Sequence, residues 1–343
     1  MAYTTIDDPS AYFNSLIYTG NVTVRALTFD GNSDLAVDWI WLKSRSISGN
    51  HHLYDSVRGT QKHLRSNLDS AEGTNGGTDG VTAFSSNGVT IGTNTASNDD
   101  GETFVGWGWK AGTSFTNDAS GTGIGTIDSA GSVNTDAGFS IISFTGTETN
   151  SQSVAHGLGA VPELIISKSR DVADNWMVHH GSFSENDYIS LNLTNAKASA
   201  SSVWSSLPTS TVINIGDNAG VNDDGAMIMY AFRSVQGYSK FGSYTGNGNA
   251  DGTFVYTGFK PAFIIFKNTD SGSTDWVLYD NKRDGFNSNN IALYPNANAA
   301  DDTGNDPDIL SNGFKQRATG SDRNGNGENI IYMAFAENPF VTS

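Results

Sequence analysis

Pairs of neighbouring acids are the residues of this sequence that come nearest to catalytic chemistry. Hydrolysis of a glycosidic bond needs two carboxyl groups at a defined separation, and Asp99-Asp100 and Asp223-Asp224 supply adjacent carboxylates. A third, similar segment carries Gly325-Asn326 at the same positions. The pattern that recurs is Asn-x-x-Gly, which is typical of a turn with left-handed backbone geometry. The acids therefore indicate turns, and we predict no catalytic residue.

The segment 322–328, Asp-Arg-Asn-Gly-Asn-Gly-Glu, matches the start of a calcium loop, in which alternate oxygen-bearing side chains converge on the ion. The twelfth position, where such a loop needs a bidentate glutamate, is Met333. A regular calcium loop is therefore excluded, and a solvated acidic loop is the simpler interpretation. We predict no cofactor. An irregular calcium site stays open as an alternative, and its ligands would come from Asp301, Asp302, Asp306 and Asp308.

Two histidine pairs, His51-His52 and His179-His180, suggest metal binding at first sight. Neighbouring residues of a strand point to opposite faces, so one pair cannot place both rings on one ion. We therefore expect surface histidines and no metal site. The sequence also lacks cysteine, a Gly-x-Ser-x-Gly elbow, a Walker loop and a dinucleotide-binding fingerprint. It indicates a protein that is not an enzyme.

Four aromatic residues near predicted loops are the candidates for stacking on sugar rings of a glycan. They are Trp204, Tyr188, Tyr256 and Tyr294. Packing or subunit contact is the competing interpretation for each of them. If Trp204 lies on a loop, Trp204→Ala should change the free energy of unfolding by under about 1 kcal/mol.

The elements that position these residues follow from a threefold internal repeat. An opening aromatic-Thr-Gly occurs at 18–20, 144–146 and 244–246. A buried strand ending on lysine follows at 39–43, 164–168 and 263–267. The first and third copies then share Leu-Tyr-Asp-x-x-Arg, at 53–58 and 278–283. Each copy closes with Asn-x-x-Gly and a final strand, with the asparagines at 98, 222 and 324.

The final strand predicts how the copies pack. Alternate residues of a strand share a face, so Trp109 and its small neighbour Gly108 lie on opposite faces. The residues equivalent to Trp109 are Phe232 and Phe335, and those equivalent to Gly108 are Ala231 and Ala334. Two packed sheets need a large side chain to fill the space between them. The neighbouring residue must be small where another layer approaches the strand closely. We therefore predict that Trp109, Phe232 and Phe335 each lie at the centre of their own module's core.

The fold class predicted from the repeat is all-β, with three tandem antiparallel β-sandwich modules of jelly-roll type. The 39 glycines and the 11% aromatic residues fit short strands joined by many turns. The predicted ranges are an N-terminal arm at 1–10, module 1 at 11–110, a Gly/Ser/Thr-rich linker or edge hairpin at 111–138, module 2 at 139–237 and module 3 at 238–343.

The charge balance excludes two classes of partner. Lys and Arg number 19 against 36 Asp and Glu, a formal charge of -17, which repels nucleic acid and anionic lipid. No apolar stretch approaches the roughly 18 residues of a membrane span, and the N-terminus lacks a secretory signal. We expect a protein made in the cytoplasm, without nucleic-acid or membrane partners, that leaves a cell only by lysis.

Several segments resemble a family of proteins from marine tailed phages. They include residues 2–14, 39–45, 55–59, 102–112, 134–141, 156–159 and 331–340. The resemblance covers nearly the whole chain. It implies a virion structural protein, usually labelled tail-fibre-like, whose sandwich modules are similar to legume-lectin (concanavalin-like) folds. The family brings no agreed catalytic residue or ligand site. The sequence shows neither shaft repeats nor heptads, which favours a compact spike, collar or head-surface subunit.

The resemblance implies a virion location, on a tail appendage or on the particle surface. The expected function is adhesion through contact of the sandwich loops with a host surface glycan. A head decoration (cement) protein and a glycan depolymerase spike are the alternatives. Expected partners are other virion proteins, and we expect a homotrimer by analogy with the threefold appendages of phages.

Overall fold

Short antiparallel strands separated by turns make up the chain. The computed structural model describes residues 4–285, 287–304 and 307–339. All strand ladders described are antiparallel, and small sheets pack on larger ones, so the predicted all-β sandwich class is confirmed. Among these residues no helix is long and apolar enough to cross a membrane.

Module 1 is a four-stranded sheet in the order β1-β9-β3-β4 packed on a three-stranded sheet β2-β8-β7. A 3-10 helix at Pro9–Ala11 precedes it. Its elements are β1 Phe13–Thr19, β2 Arg25–Leu27, β3 Trp39–Ser44, β4 His52–Asp55, β5 Lys62–His63, β6 Gly73–Thr74, β7 Val81–Phe84, β8 Val89–Ile91, α1 Thr95–Asn98 and β9 Thr103–Trp109.

Module 2 repeats this order within an eight-stranded sheet, β10-β11-β12-β19-β14-β15-β16-β17. Residues 111–138 supply an antiparallel hairpin, β10 with β11, that extends this sheet at β12. The elements are β10 Thr113–Asn117, α2 Ala119–Thr122, β11 Ser129–Asn134, β12 Phe139–Thr145, β13 Gln152–Ala155, β14 Leu164–Ser169, β15 Met177–His180, β16 Asp187–Ser190, β17 Ala198–Ser199, β18 Val212–Ile215, α3 Ala219–Asn222 and β19 Ala226–Phe232.

Module 3 has the same order again, β20-β28-β22-β23, with a three-stranded sheet β21-β27-β26 beside it. Its elements are β20 Ser239–Thr245, β21 Phe254–Tyr256, β22 Phe259–Asn268, β23 Trp276–Asp280, β24 Ile291–Ala292, β25 Asp302–Thr303, β26 Pro307–Leu310, β27 Gly313–Gln316, α4 Ser321–Asn324 and β28 Asn329–Pro339. The closing strand therefore lies between the opening strand and the lysine-ended strand in every module.

The Thr-Gly and Asn-x-x-Gly landmarks meet in space. A Cβ added to Gly20 would lie 1.9 Å from the carbonyl oxygen of Asp99, and one on Gly146 would lie 2.0 Å from that of Asp223. Only glycine allows this approach, because real Cβ atoms essentially never come within 3.0 Å of another atom. The two landmarks together therefore fix the end of each sandwich.

The large sheets of the three modules, four-stranded in modules 1 and 3 and eight-stranded in module 2, share one cluster of buried side chains, which we call the central core. It includes Trp39, Trp41, Trp107 and Trp109 of module 1, Phe139, Ile166, Tyr230 and Phe232 of module 2, and Phe241, Phe263, Met333 and Phe335 of module 3. Three further clusters lie between the sheets of modules 1, 2 and 3 respectively. In each module the closing strand and the lysine-ended strand, which lie side by side, are consequently buried on both faces.

The predicted position of the closing-strand aromatics is wrong. Trp109, Phe232 and Phe335 lie in the central core and not inside their own modules. The ring centroid of Phe335 is 5.6 Å from that of Trp109 and 6.0 Å from that of Phe232. The small neighbour faces the inside of the sandwich instead, where a Cβ on Gly108 would lie 2.7 Å from the ring of Phe29. The alternation separated the two faces correctly, but it did not tell which layer each face meets.

The arm also contributes to the central core. Ile6 is 1% exposed and belongs to this cluster. Tyr12, which packs against the cluster, lies edge-on to Tyr238 at a centroid distance of 6.0 Å. Ile6 of the arm thus packs in the central core, and Tyr12 at the start of module 1 contacts Tyr238 at the start of module 3.

Because the central core belongs to all three modules, Trp109→Ala should destabilise the whole chain. A cavity of this size should lower the free energy of unfolding by about 3 to 5 kcal/mol. Hydrogen exchange should accelerate in β9, β19 and β28 together, since local opening follows the packing that is lost. Trp204→Ala, inside module 2 alone, is the matched comparison and should accelerate exchange mainly in module 2. Faster exchange confined to module 1 in the Trp109 variant would contradict the shared core.

Candidate functional site

The structure places the four predicted sugar-stacking residues in different surroundings. Trp204 lies outside the strands but is 2% exposed and packs in the core of module 2, so its predicted placement on a surface loop is wrong. Tyr188 packs, partly buried, against the same core. Tyr294 packs against the core of module 3 and donates its hydroxyl to Asp302 Oδ2 at 2.5 Å. Tyr256 is 49% exposed on β21 and is the one of the four that faces solvent.

The acids considered for calcium are engaged with protein groups. Asp301 pairs with the guanidinium groups of Arg45 and Arg283, each at 2.9 Å. Asp308 accepts from Arg317 at 2.9 Å, and Asp306 lies outside the described residues. No group of three or more His, Cys, Asp or Glu that could hold a metal ion occurs among the residues searched, which are those the structure describes.

A buried asparagine clamps each Asn-x-x-Gly segment. Asn98, Asn222 and Asn324 are each fully buried. Asn98 Nδ2 donates to the carbonyl oxygens of Thr23 and Gly92 at 2.8 Å, and its own Oδ1 accepts from the amide of Asn21. Asn222 and Asn324 make the equivalent bonds. The turn interpretation is confirmed for the first and third segments, where Gly101 and Gly327 have φ angles of 78° and 77°, whereas the second segment is a bend.

Equivalent backbone hydrogen bonds join the modules at three contacts, which we call seam 1/2, seam 2/3 and seam 3/1. At each seam a backbone N–H of one module donates to a backbone carbonyl of the next module. That carbonyl belongs to the residue two positions after the buried lysine. The three bonds are Glu72 to Arg170 at 2.8 Å, Lys197 to Thr269 at 2.8 Å and Asp301 to Arg45 at 2.7 Å. The modules therefore form a closed ring with pseudo-threefold order.

A buried ion-pair network occupies seam 1/2. Arg58 Nε lies 2.5 Å from Asp55 Oδ2, and both side chains are fully buried. Tyr230 of module 2 donates its hydroxyl to the same carboxylate at 2.7 Å. Burial raises the pKa of Tyr230 well above its ordinary value, so the hydroxyl keeps the proton it donates. Glu72 then joins Arg58 at 3.1 Å to Arg170 of module 2 at 2.9 Å.

Seam 3/1 repeats the network with other partners. Arg283 pairs with Asp280 at 2.6 Å, again with both side chains fully buried. Trp107 of module 1 donates its indole N–H to Asp280 at 3.1 Å, in the place of the Tyr230 hydroxyl. Asp301 bridges Arg283 to Arg45, as Glu72 does at seam 1/2. Asp-x-x-Arg is thus a docking motif between modules.

Seam 2/3 has different residues in the positions of this network. The strand register places His180 opposite Leu164, just as Asp55 is opposite Trp39, so His180 and Phe183 stand where the other seams have Asp and Arg. Thr269 replaces the arginine that crosses the seam. A small apolar cavity of about 20 Å³ lies here, lined among others by His180 and Met333. The sequence signal was present, since His179-His180-Gly-Ser-Phe183 aligns with the Asp-x-x-Arg motif once the strands are paired.

The lysine that ends each buried strand is itself buried. Lys43, Lys168 and Lys267 are fully inaccessible to solvent. Their Nζ atoms donate to backbone carbonyls, of Ser44 at 2.5 Å, Ser169 at 2.8 Å and Thr274 at 2.7 Å. Burial lowers the pKa of each lysine to about 8, and nearby carboxylates oppose this shift.

The expectation of surface histidines is wrong. His51, His52, His179 and His180 are all at most 5% exposed. The two side chains of each pair do point apart: His51 accepts from the indole of Trp41 at 2.8 Å, whereas the ring of His52 lies 5.1 Å from that of His63. The strand rule predicted the opposed directions, but it could not show that another layer covers both faces.

We predict that Arg58→Met is strongly destabilising, because it leaves Asp55 buried without its cation. Breaking a buried pair in this way costs about 3 to 5 kcal/mol. Arg317→Met is the exposed control, since its side chain is 44% exposed, and should cost about 0 to 1 kcal/mol. The double change Asp55→His with Arg58→Phe introduces the residue types found at seam 2/3. It should restore part of the free energy of unfolding that Arg58→Met loses. Urea unfolding of the variants measures this, and a parent-like Arg58 variant would refute it.

The buried histidines predict a loss of stability in mild acid. Burial lowers the pKa of His52 to about 3 and those of His63, His179 and His180 to about 4, from an ordinary 6.5. Below pH 6.5 the unfolded chain therefore binds protons that the folded chain does not, so the free energy of unfolding falls as the pH drops from 6.5 towards 4.

Urea titrations at several pH values measure this slope. Each such histidine contributes up to about 1.4 kcal/mol per pH unit. His179, whose ring lies 6.1 Å from that of Trp204, serves as the probe, and His179→Leu should reduce the slope by about one proton. An unchanged slope would show that His179 is protonated in the folded chain.

Comparison with known proteins gives a family but no activity. The family described as "Domain of unknown function (DUF7483)" matches residues 8–339. No curated protein matches the chain, and no solved structure does. The match runs from the last residues of the arm, through modules 1 and 2 and the hairpin that extends module 2, to the end of β28 in module 3. The chain therefore belongs to the DUF7483 family.

Proposed function

We propose that the chain is a non-enzymatic structural protein of a phage particle, placed on a tail appendage or on the particle surface, where it contacts host glycans. The observation that carries this proposal is the closed ring of three sandwiches around one aromatic core. Such a ring holds its outer faces and loops in fixed positions, as a surface protein outside the cell requires. The whole-chain resemblance to virion proteins supports the same function.

The use of the charged residues favours a structural function over an enzymatic one. The acid pairs nearest to catalytic chemistry lie in the clamped Asn-x-x-Gly segments. Of the acids weighed as calcium ligands, Asp301 and Asp308 pair with arginines, and Asp302 accepts from a tyrosine hydroxyl. Asp301, Asp302 and Asp308 therefore have partners within the fold, which weakens the depolymerase alternative.

A head decoration protein is the second candidate, and the pseudo-threefold order of the ring favours it. Shells of viral particles present threefold positions, and one chain with three similar sides fits such a position without forming an oligomer. The homotrimer expected from the sequence remains a prediction. A mass of three chains by light scattering at micromolar concentration would support it, and a single-chain mass would favour the lone ring.

Labelling of purified particles tests the proposal. Antibody-gold against the chain is expected on tail tips or on the particle surface, and its position separates an adhesin from a decoration protein. Particles without label, with the protein left in the lysate, would refute a virion role. Incubation with host capsule or lipopolysaccharide is expected to release no new reducing or unsaturated ends, and their release would establish the depolymerase instead.

A further inference from the structure

The outer face of module 3 exposes two aromatic rings side by side. Phe254 and Tyr256 on β21 are 45% and 49% exposed, whereas Val255 between them is 8% exposed and faces the module core. They are the aromatic members of the set of exposed large hydrophobic side chains in the described chain. Two rings at alternate positions of one strand lie on the same face. Both rings are therefore in contact with solvent on the same face of the strand.

The repeat supplies an internal comparison for this pair. Val255 lies opposite Phe314, Leu27 opposite Val89 and Val154 opposite Ile213. The residues that flank the buried position are Phe254 and Tyr256 in module 3, Ala26 and Thr28 in module 1, and Ser153 and Ala155 in module 2. The same strand thus forms twice without aromatic residues at these positions. The fold does not require the two rings.

Cations surround the pair in the same module-specific way. Lys240 Nζ lies 5.7 Å from the ring centroid of Tyr256 and donates to its carbonyl oxygen at 3.0 Å. Lys315 is directly opposite Phe254 in the sheet. The residues equivalent to Lys240 are Asn14 and Ser140, and those equivalent to Lys315 are Thr90 and Asn214. Both cations therefore occur in module 3 alone.

The local charge is opposite in sign to that of the whole chain. Lys240, Lys315 and Arg317 face two acids: Asp251 is 2.7 Å from Lys315, and Asp308 is 2.9 Å from Arg317. This leaves cations in excess on a protein of formal charge -17. Charges farther away than about 8 Å are largely screened at physiological ionic strength. A ligand on this face therefore senses the local cations.

We propose that this face of module 3 binds an acidic saccharide, with a pyranose ring stacked on Phe254 or Tyr256 and its carboxylate paired with Lys240. The aromatic rings supply flat apolar area for the C–H face of the sugar. A lysine ammonium has three donors, and its bond to the Tyr256 carbonyl uses one of them. The inference rests on the proposed glycan contact and assigns its position and the class of sugar.

Affinity electrophoresis of the full chain tests this site with three uronate polymers, alginate, polygalacturonate and hyaluronan, and with neutral dextran. The parent should be retarded by at least one uronate polymer and not by dextran. Phe254→Ala with Tyr256→Ala should weaken binding about tenfold or more, since aromatic anchors dominate contact surfaces. Lys240→Met should weaken binding several-fold and reduce its dependence on salt. Leu207→Ala, on module 2 and 47% exposed, is the matched control and should bind as the parent does.

The outcomes separate the site from the wider function. No retardation by any of the three uronate polymers overturns the acidic saccharide, and equal retardation by dextran overturns the role of charge. If the double aromatic variant binds as the parent does and keeps the same melting temperature, the binding site does not lie at Phe254 and Tyr256. None of these binding results tests the virion location, which the particle labelling tests separately. Unlabelled particles together with alginate binding would refute the virion role and keep the site.

Discussion

The burial of both faces of the two central strands in the large sheet of each module is the constraint on which the rest of the structure depends. One face covers the module's own small sheet, and the other meets two neighbouring modules in the central core. A sheet with two apolar faces cannot stand alone in water, so an isolated module would expose Trp107, Trp109 or their equivalents. The ring closes because each module covers the face that the next one leaves open. Its stability is therefore a property of the chain and not of a single repeat.

The three seams solve the same packing problem in two ways. Two use a buried Asp–Arg pair that receives a hydrogen bond from a neighbouring aromatic side chain, and the third uses His180 and Phe183. A buried ion pair loses the hydration of both charges, and an apolar replacement of similar volume is often as stable. The pairs are then better explained as devices that select which modules meet. The aromatic donor differs at the two charged seams, Tyr230 at one and Trp107 at the other, so each carboxylate has a distinct partner.

The sequence predicted the elements well and their neighbours poorly. Glycine, lysine and asparagine landmarks located the strands and turns, because close backbone approach and clamped carbonyls need those residue types. The alternation along β9 separated two faces but could not identify the layer opposite each, which put Trp109 in the wrong core. Trp204 and the histidines were misplaced for a related reason. Polar neighbours along the chain suggested exposure, whereas the covering residues come from segments distant in sequence.

Differences among the modules separate residues that build the fold from residues that do not. Where the three copies agree, as at the buried asparagines and lysines, the structure shows a clamp or a carbonyl partner that every module needs. Where they differ inside the ring, as at His180, the seam changes its chemistry but still closes. Where they differ on an outer face, as at Phe254 and Tyr256, the other two modules form the same strand without aromatic side chains. Such positions are free to evolve contacts with other molecules, because the central core keeps the sheet in place whatever side chains it carries on the outside.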